Sequence, residues 1–332
     1  MRLDIGLIGA TRIAERAVLR PSAHRADVVV RAVAASDRER AVEFAARNGI
    51  ARAHADYSAL VDDPDINVVY VSLHNSAHHE WAVRAADAGK HVIVEKPLCL
   101  DAHEVASIQT AATKSGVKVV EAVPGAGHRW QKVVRALVVD QPYGPLRSVH
   151  SRLRFGAPVP GSYRERPELG GGIFLDTASY WLQAVQSTVG LTEVTGQGHS
   201  EFEGPLGADR AFRAELRCVG GVDAVLDCRV DEIHAAQHDF VFERATVRLR
   251  NFLRPVVAAL PLNLVVGHDD GAKEVLSYPA IDYYEQQLDH IHRQFSGQPD
   301  RWGGEFGMAA ERVELMARTR SDAVRRHFQE VQ

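Results

Sequence analysis

The order of segments in the first 120 or so residues constrains the fold most. Short apolar runs rich in β-branched residues stand at 5–8, 28–35, 68–72, 91–95 and 117–122, and no two adjoin. Between them lie stretches punctuated as helices. A helical stretch over 12–19 meets Pro21, and Asp37 precedes a helix over 38–48 that Gly49 closes. Asp56 opens a short helix, Asn75 and Ser76 are expected to cap one that ends near Gly89, and 102–115 reads as another. Strands joined only through helices must run parallel, and a parallel sheet is covered on both faces. Residues 1–122 are therefore expected to form an α/β Rossmann domain with a doubly wound parallel sheet.

Beyond residue 122 the pattern changes. Strands are expected at 146–155, 194–199, 212–219, 222–230, 240–242 and 245–249, most of them joined without helices. Gly220-Gly221 reads as a two-residue hairpin turn that pairs Val219 with Val222. Helices are expected at 132–138, 176–189, 283–295 and 308–324. Residues 123–332 thus read as an α+β C-terminal domain, for substrate binding and oligomerisation, with a large, mainly antiparallel open sheet. An open face that exposes apolar strand surface would seek a partner, so a homodimer or homotetramer is expected.

Composition excludes several classes. Hydrophobic residues make up 45% and charged residues 25% of the 332, which is globular rather than disordered. A formal net charge of −4 argues against general affinity for nucleic acid or anionic membrane. No apolar run approaches the ~20 residues that span a bilayer, and the N-terminus enters a strand without a secretion signal, so a cytoplasmic location is expected. The hairpin register sets Cys218 opposite Asp223 and Cys228 opposite Arg213, which denies them a disulfide, and Cys99 reads as buried filler.

Four segments can carry chemistry. Gly9-Ala10-Thr11-Arg12-Ile13-Ala14, at the first strand–helix junction, fits the dinucleotide fingerprint G-x-G-x-x-G/A at its ends but has Thr11 in place of the middle glycine. The Thr11 hydroxyl can compensate by donating to a phosphate, while a tight turn without a ligand would also explain the segment. The second strand ends in Ala35-Ser36-Asp37-Arg38-Glu39-Arg40. Ser36, Arg38 and Arg40 suit a 2′-phosphate, which leans the reading from NAD(H) toward NADP(H), whereas Asp37 fits either a helix cap or a ribose ligand. Three histidines in 74–79 lack the H-E-x-x-H pattern or a cysteine pair, so no metal is expected; the loop better suits ligand binding at a strand end.

Glu95-Lys96-Pro97 sets a charged pair at the end of a buried strand, which is costly unless solvated, paired or functional. Gly170-Gly171-Gly172 allows a backbone or a ligand to come close. In the helix that follows, Asp176 and Tyr180 are four apart and share a face. A carboxylate and a phenol presented together can bind a polyol and pass a proton; core packing would equally place an aromatic there.

In order and spacing these pieces resemble the Gfo/Idh/MocA family, most specifically at Ala85–Leu98 (AADAGKHVIVEKPL) and from Arg164 through the triple glycine to Tyr180. The resemblance implies a two-domain enzyme that moves hydride between NAD(P) and a carbinol or carbonyl carbon of a sugar, inositol or related diol. It implies that Lys96 touches substrate and nicotinamide ribose, that Asp176 orients the substrate, and that Tyr180 stands where many members carry a catalytic histidine. It sets Asn75 and His78 near the nicotinamide, with Glu95 beside them, and Arg164 at the pocket entrance. Gly9, Thr11, Arg12, Ile13, Ser36 and Arg38 complete the cofactor set. The segment 121–130, EAVPGAGHRW, departs from the family pattern. A dinucleotide-binding sensor on the same fold is the rival reading, since fold does not guarantee chemistry.

Overall fold

A computed structural model describes residues 1–298 and 306–330. By its internal contacts the chain forms two units, residues 1–123 with 283–313, and residues 124–282 with 314 onward.

In the first unit, β1 (Leu3–Ile8) and β4 (Val68–Val71) are buried at every position, as central strands of a covered parallel sheet must be. With β2 (Val28–Ala34), β3 (Arg52–Ala53), β5 (His91–Glu95) and β6 (Val119–Ala122) they form a six-stranded parallel sheet in the order β3-β2-β1-β4-β5-β6. The reversal between β1 and β4 is the point at which open α/β sheets bind ligands. Capping sets the helix starts: Asp37 accepts from the Arg40 N–H ahead of α3 (Arg38–Asn48), and Asp56 from Ala59 ahead of α4 (Tyr57–Val61). Asp101 likewise caps α6 (Ala102–Ser115).

Two helix starts and stops differ from expectation. The first helical run passes from α1 (Arg12–Ala14) through a π turn at Glu15–Leu19 into α2 (Arg20–Ser22), so Pro21 lies inside the last turn instead of ending the helix. The wide π turn just before it accommodates a ring with no N–H to give. Asn75 and Ser76 do not cap α5 (His78–Asp87). They form a 3-10 turn ahead of it, with Asn75 turned into the interior.

The expected continuous domain 123–332 is interrupted, because α9 (Tyr283–Phe295) belongs to the first unit. Its buried face carries Tyr283, Tyr284, Leu288, Ile291 and Phe295, with Phe295 stacked on His91 at 4.7 Å between ring centroids. Ala309 and Val313, early in α10 (Phe306–Glu330), lie in the first unit's core.

The second unit is built on eight strands in the order β14-β13-β12-β11-β7-β10-β9-β8. β7 (Leu146–Phe155) runs parallel to β10 (Asp223–Val230). The other pairs are antiparallel, and involve β8 (Thr195–His199), β9 (Ala211–Arg217), β11 (Ala235–Phe242) and β12 (Ala245–Arg250). β13 (Leu260–His268) and β14 (Lys273–Ile281), a hairpin absent from the sequence expectation, pair antiparallel at one edge. The helices are α7 (Arg129–Asp140) and α8 (Ile173–Thr188), the latter packed on β7, β9 and β10. The β9–β10 turn holds three residues, Val219–Gly221, with Gly220 and Gly221 both at positive φ. The register therefore slips by one from expectation: Cys228 faces Phe212, and the Cys218 N–H donates to the Val222 carbonyl. The two thiols remain unpaired and buried.

Candidate functional site

One group of candidate residues lies at the carboxyl ends of β1, β2, β4 and β5. Gly9 has φ +106°, and a Cβ there would stand 2.6 Å from the Ser72 carbonyl oxygen, so only glycine lets this loop reach the end of β4. The Thr11 hydroxyl is committed within the fold: it accepts from the Ala14 N–H at 3.2 Å and meets Ser72 Oγ at 2.9 Å. It acts as a helix cap instead of a phosphate donor, and fixes the loop that Gly9 opens. Arg12 and Ile13 occupy the first turn, where backbone N–H groups have no partner inside the helix and suit an anion. At the end of β2, Ser36 and Arg38 are exposed. Asp37 is occupied on both oxygens, by the Arg40 N–H at 2.8 Å and the Ser36 hydroxyl at 3.2 Å, which favours the cap over the ribose ligand. The Arg40 guanidinium donates to the Ala10 carbonyl at 3.2 Å.

Lys96 is half-buried in a turn whose Lys96–Pro97 bond is cis. Three buried side chains hold that turn. His78 sits beneath it, with Nδ1 2.7 Å from the Pro97 carbonyl and Nε2 3.2 Å from that of Leu73. Burial pulls the His78 pKa down to about 4, so a neutral ring braces the turn from within instead of facing a ligand. Glu121, on β6, accepts the Leu98 N–H at 3.1 Å and pairs with Arg312 of α10. Glu95 is buried, accepts from the Tyr70 hydroxyl at 2.5 Å, and its pKa is raised by burial. Among these, Tyr70, Glu121 and Arg312 were missed by sequence reasoning, because nothing local marks a carboxylate on the neighbouring strand or an arginine about two hundred residues on.

A second group of candidate residues lies in the other unit. Of the 16 residues in α8, 13 are buried, and Asp176 and Tyr180 are the partly open positions in its first half. The triple glycine serves a backbone contact. A Cβ on Gly171 would lie 2.4 Å from the Tyr163 carbonyl oxygen, and the Gly172 N–H donates to the Arg164 carbonyl at 2.9 Å. The Tyr163–Glu165 turn is thereby laid against the start of α8, and Arg164 Nε donates to Asp176 Oδ2 at 3.0 Å. Asp176, and more distantly Tyr180, hold the Arg164 proton more firmly than usual. Tyr180 packs edge-on to Phe155, with centroids 6.5 Å apart. A cavity of about 310 Å³ opens beside the pair. Buried Asp209 anchors the helix start by accepting the Phe174 N–H at 2.7 Å. Among the described residues, no group of three or more His, Cys, Asp or Glu could hold a metal ion.

A Rossmann sheet with this glycine turn, and a second unit presenting a carboxylate and a phenol, define an oxidoreductase of the nicotinamide-dinucleotide class. Residues 3–123 match the model of the GFO/IDH/MocA oxidoreductase family, NAD-binding Rossmann fold, and residues 132–248 match that family's C-terminal domain. The chain belongs to this family. It is 30% identical over 251 residues to the uncharacterized oxidoreductase ORF334 of Rhizobium meliloti, covering 75% of each chain. It is also 30% identical over 311 residues to the 1,5-anhydro-D-fructose reductase of Ensifer adhaerens, covering 90% of each. The fold superposes on KijD10, a 3-ketoreductase from Actinomadura kijaniata in complex with NADP and TDP-benzene, with a TM-score of 0.85 and 23% identity over 97% of this chain and 98% of that one.

Proposed function

We propose that the chain interconverts a secondary alcohol and a ketone on a sugar, inositol, keto-deoxysugar or cyclic diol, with NADP(H) preferred over NAD(H). The observation that carries this reading is the pairing of Asp176 with Arg164 on the open face of α8, one turn from Tyr180. The bound dinucleotide would supply the hydride acceptor or donor. Gly9, Thr11, Arg12 and Ile13 shape the loop that would hold its phosphates. Ser36 and Arg38 suit the 2′-phosphate, with the carboxylate of Asp37 already engaged. Asp176, paired with Arg164, accepts hydrogen bonds from substrate hydroxyls and fixes their direction. Tyr180 exchanges the proton of the reacting oxygen. A phenol, with an ordinary pKa near ~10, is a poor base at neutral pH unless a cation favours its phenolate; Arg164 is already paired with Asp176, and we assign that part to Lys96. The family resemblance assigns Lys96 to the same reacting oxygen and to the nicotinamide ribose, with Asn75 and Glu95 shaping the loop around it. The relatives named as keto-sugar reductases support this substrate class.

The test is a fluorescence titration with NADPH and NADH, followed by turnover on keto-sugars, inositols and cyclic diols. Micromolar binding with NADPH the tighter is expected. Tyr180→Phe should keep that affinity, and both it and Lys96→Ala should lose about 100-fold or more in turnover. Tight binding with no turnover on any substrate would favour the sensor instead.

A further inference from the structure

We propose that the cavity beside Arg164 and Asp176 seats an uncharged, ring-sized apolar substituent of the substrate, so that the preferred substrate is a polyol or ketone bearing such a group. This rests on the reading above, because Arg164 and Asp176 form the polar end of the same cavity. Away from them its wall is Phe155, Pro158, Val159, Pro205 and Val230. A sugar alone would meet few hydroxyl partners there. A dry cavity of ~150 Å³ already takes a benzene, so about 310 Å³ admits a six-membered ring with a substituent.

Charge points the same way. The ionisable groups of the lining are the carboxyls of Glu165, Asp176 and Asp209 and the guanidiniums of Arg164 and Arg210. Arg164 is already paired with Asp176, which leaves no excess of positive charge to hold a phosphate or a carboxylate.

Two loops border the cavity. Residues 156–162 carry Pro158 and Pro160, and the Gly161 N–H donates to Glu165 Oε2 at 2.7 Å, which stiffens the loop and leaves Val159 74% exposed. Opposite in sequence, Gly204 donates to the Ala208 carbonyl at 2.9 Å and closes a turn over Pro205. Within that turn Leu206 is held at φ +55° and is 76% exposed.

Phenyl and methyl β-D-glucopyranoside differ only in the group that would enter the cavity. Titration calorimetry with NADP⁺-saturated protein should find the phenyl glycoside bound about tenfold tighter or more. Val159→Asp, a change at an exposed loop tip, should shrink that ratio to within threefold. Equal affinities, no detectable binding of the phenyl glycoside, or an unchanged ratio in Val159→Asp would overturn the assignment. A preserved phenyl preference with neither compound oxidised, nor any substrate of the wider panel turned over, would sustain the cavity and sink the dehydrogenase reading. Equal binding with turnover of both would do the reverse.

Discussion

At the scale of single residues, the start of α8 is the most tightly determined place in the second unit. Gly172 has φ +109°, and a Cβ there would lie 2.0 Å from Asp209 Oδ1. Glycine is required so that the carboxyl can cover the helix terminus. Asp209 gains from that terminus and from the field of Arg320, but burial outweighs both and lifts its pKa to about 6. A carboxyl whose pKa is raised on folding binds its proton more tightly in the folded state. Its stabilising contribution is therefore whole below about pH 4 and is lost as pH rises through about 6. Asp209→Asn keeps an acceptor for the Phe174 N–H and removes the titration. Between pH 4 and 8 the wild type should lose about 2–3 kcal/mol more stability than the variant in urea unfolding; parallel profiles would refute the buried charge. Sequence reasoning could not see Asp209, because no spacing ties it to Gly172. It could single out Asp176 and Tyr180, because helical periodicity and a glycine run are local signals, whereas Arg164 came only from the family resemblance. Thr11 and His78 were visible as residues but not in their roles: the first turned out to cap a helix and the second to brace the lysine turn.

Among the elements, β6 and α10 share the buried ion pair of Glu121 and Arg312, whose side chains are 1% and 3% exposed. The other oxygen of Glu121 accepts the Leu98 N–H, so the pair also anchors the turn that carries Lys96. Removing one member of such a pair is far costlier than removing both. Arg312→Met should destabilise by about 3–5 kcal/mol, and the double variant Glu121→Gln with Arg312→Met should recover most of that loss, since the glutamine still accepts from Leu98. If urea unfolding found the double variant no better than the single, long-range pairing would not be what the arginine supplies. Five of the six strands of the Rossmann sheet were legible because each is bounded by its own signals, such as Asp37 before α3 and Gly49 after it, whereas the two-residue edge strand β3 is too short to leave a pattern. The hairpin of β13 and β14 was not, although Asp270-Gly271 marks its turn, because β14 is exposed along nearly all its length and offers no apolar alternation. The return of α9 to the first unit was illegible for a different reason. Its amphipathic face, from Tyr283 to Phe295, is plain in sequence, but a face does not name the surface it covers.

Over the whole molecule, association is decided by what the eight-stranded sheet leaves uncovered. Burial alternates along β9, β11 and β12, so one face is core and the other remains open. The apolar open face expected from the sequence is not what the structure presents. Val225, Val241, Val265 and Val275 are its larger apolar members, set among Arg152, Arg154, Asp227, Gln237, Asp239 and Arg248. Arg154 pairs with Asp227 at 2.8 Å and Arg248 with Asp239 at 2.6 Å across neighbouring strands. The exposed edge strand β14 carries Lys273, Glu274 and Pro279, which discourage strand addition at that edge. A second copy meeting this sheet would therefore meet it face to face, through exchanged ion pairs around a small apolar centre. Such a contact is screened by salt in a way that an apolar one is not. The homodimer or homotetramer expected from the sequence, if built on this face, should be seen by light scattering at micromolar concentration in about 50 mM salt, and should weaken as salt rises to about 500 mM. Arg152→Glu, which reverses one charge at the centre of the face, should give monomer even at low salt. A dimer indifferent to both salt and Arg152→Glu would place the interface elsewhere, and monomer under all conditions would end the proposal.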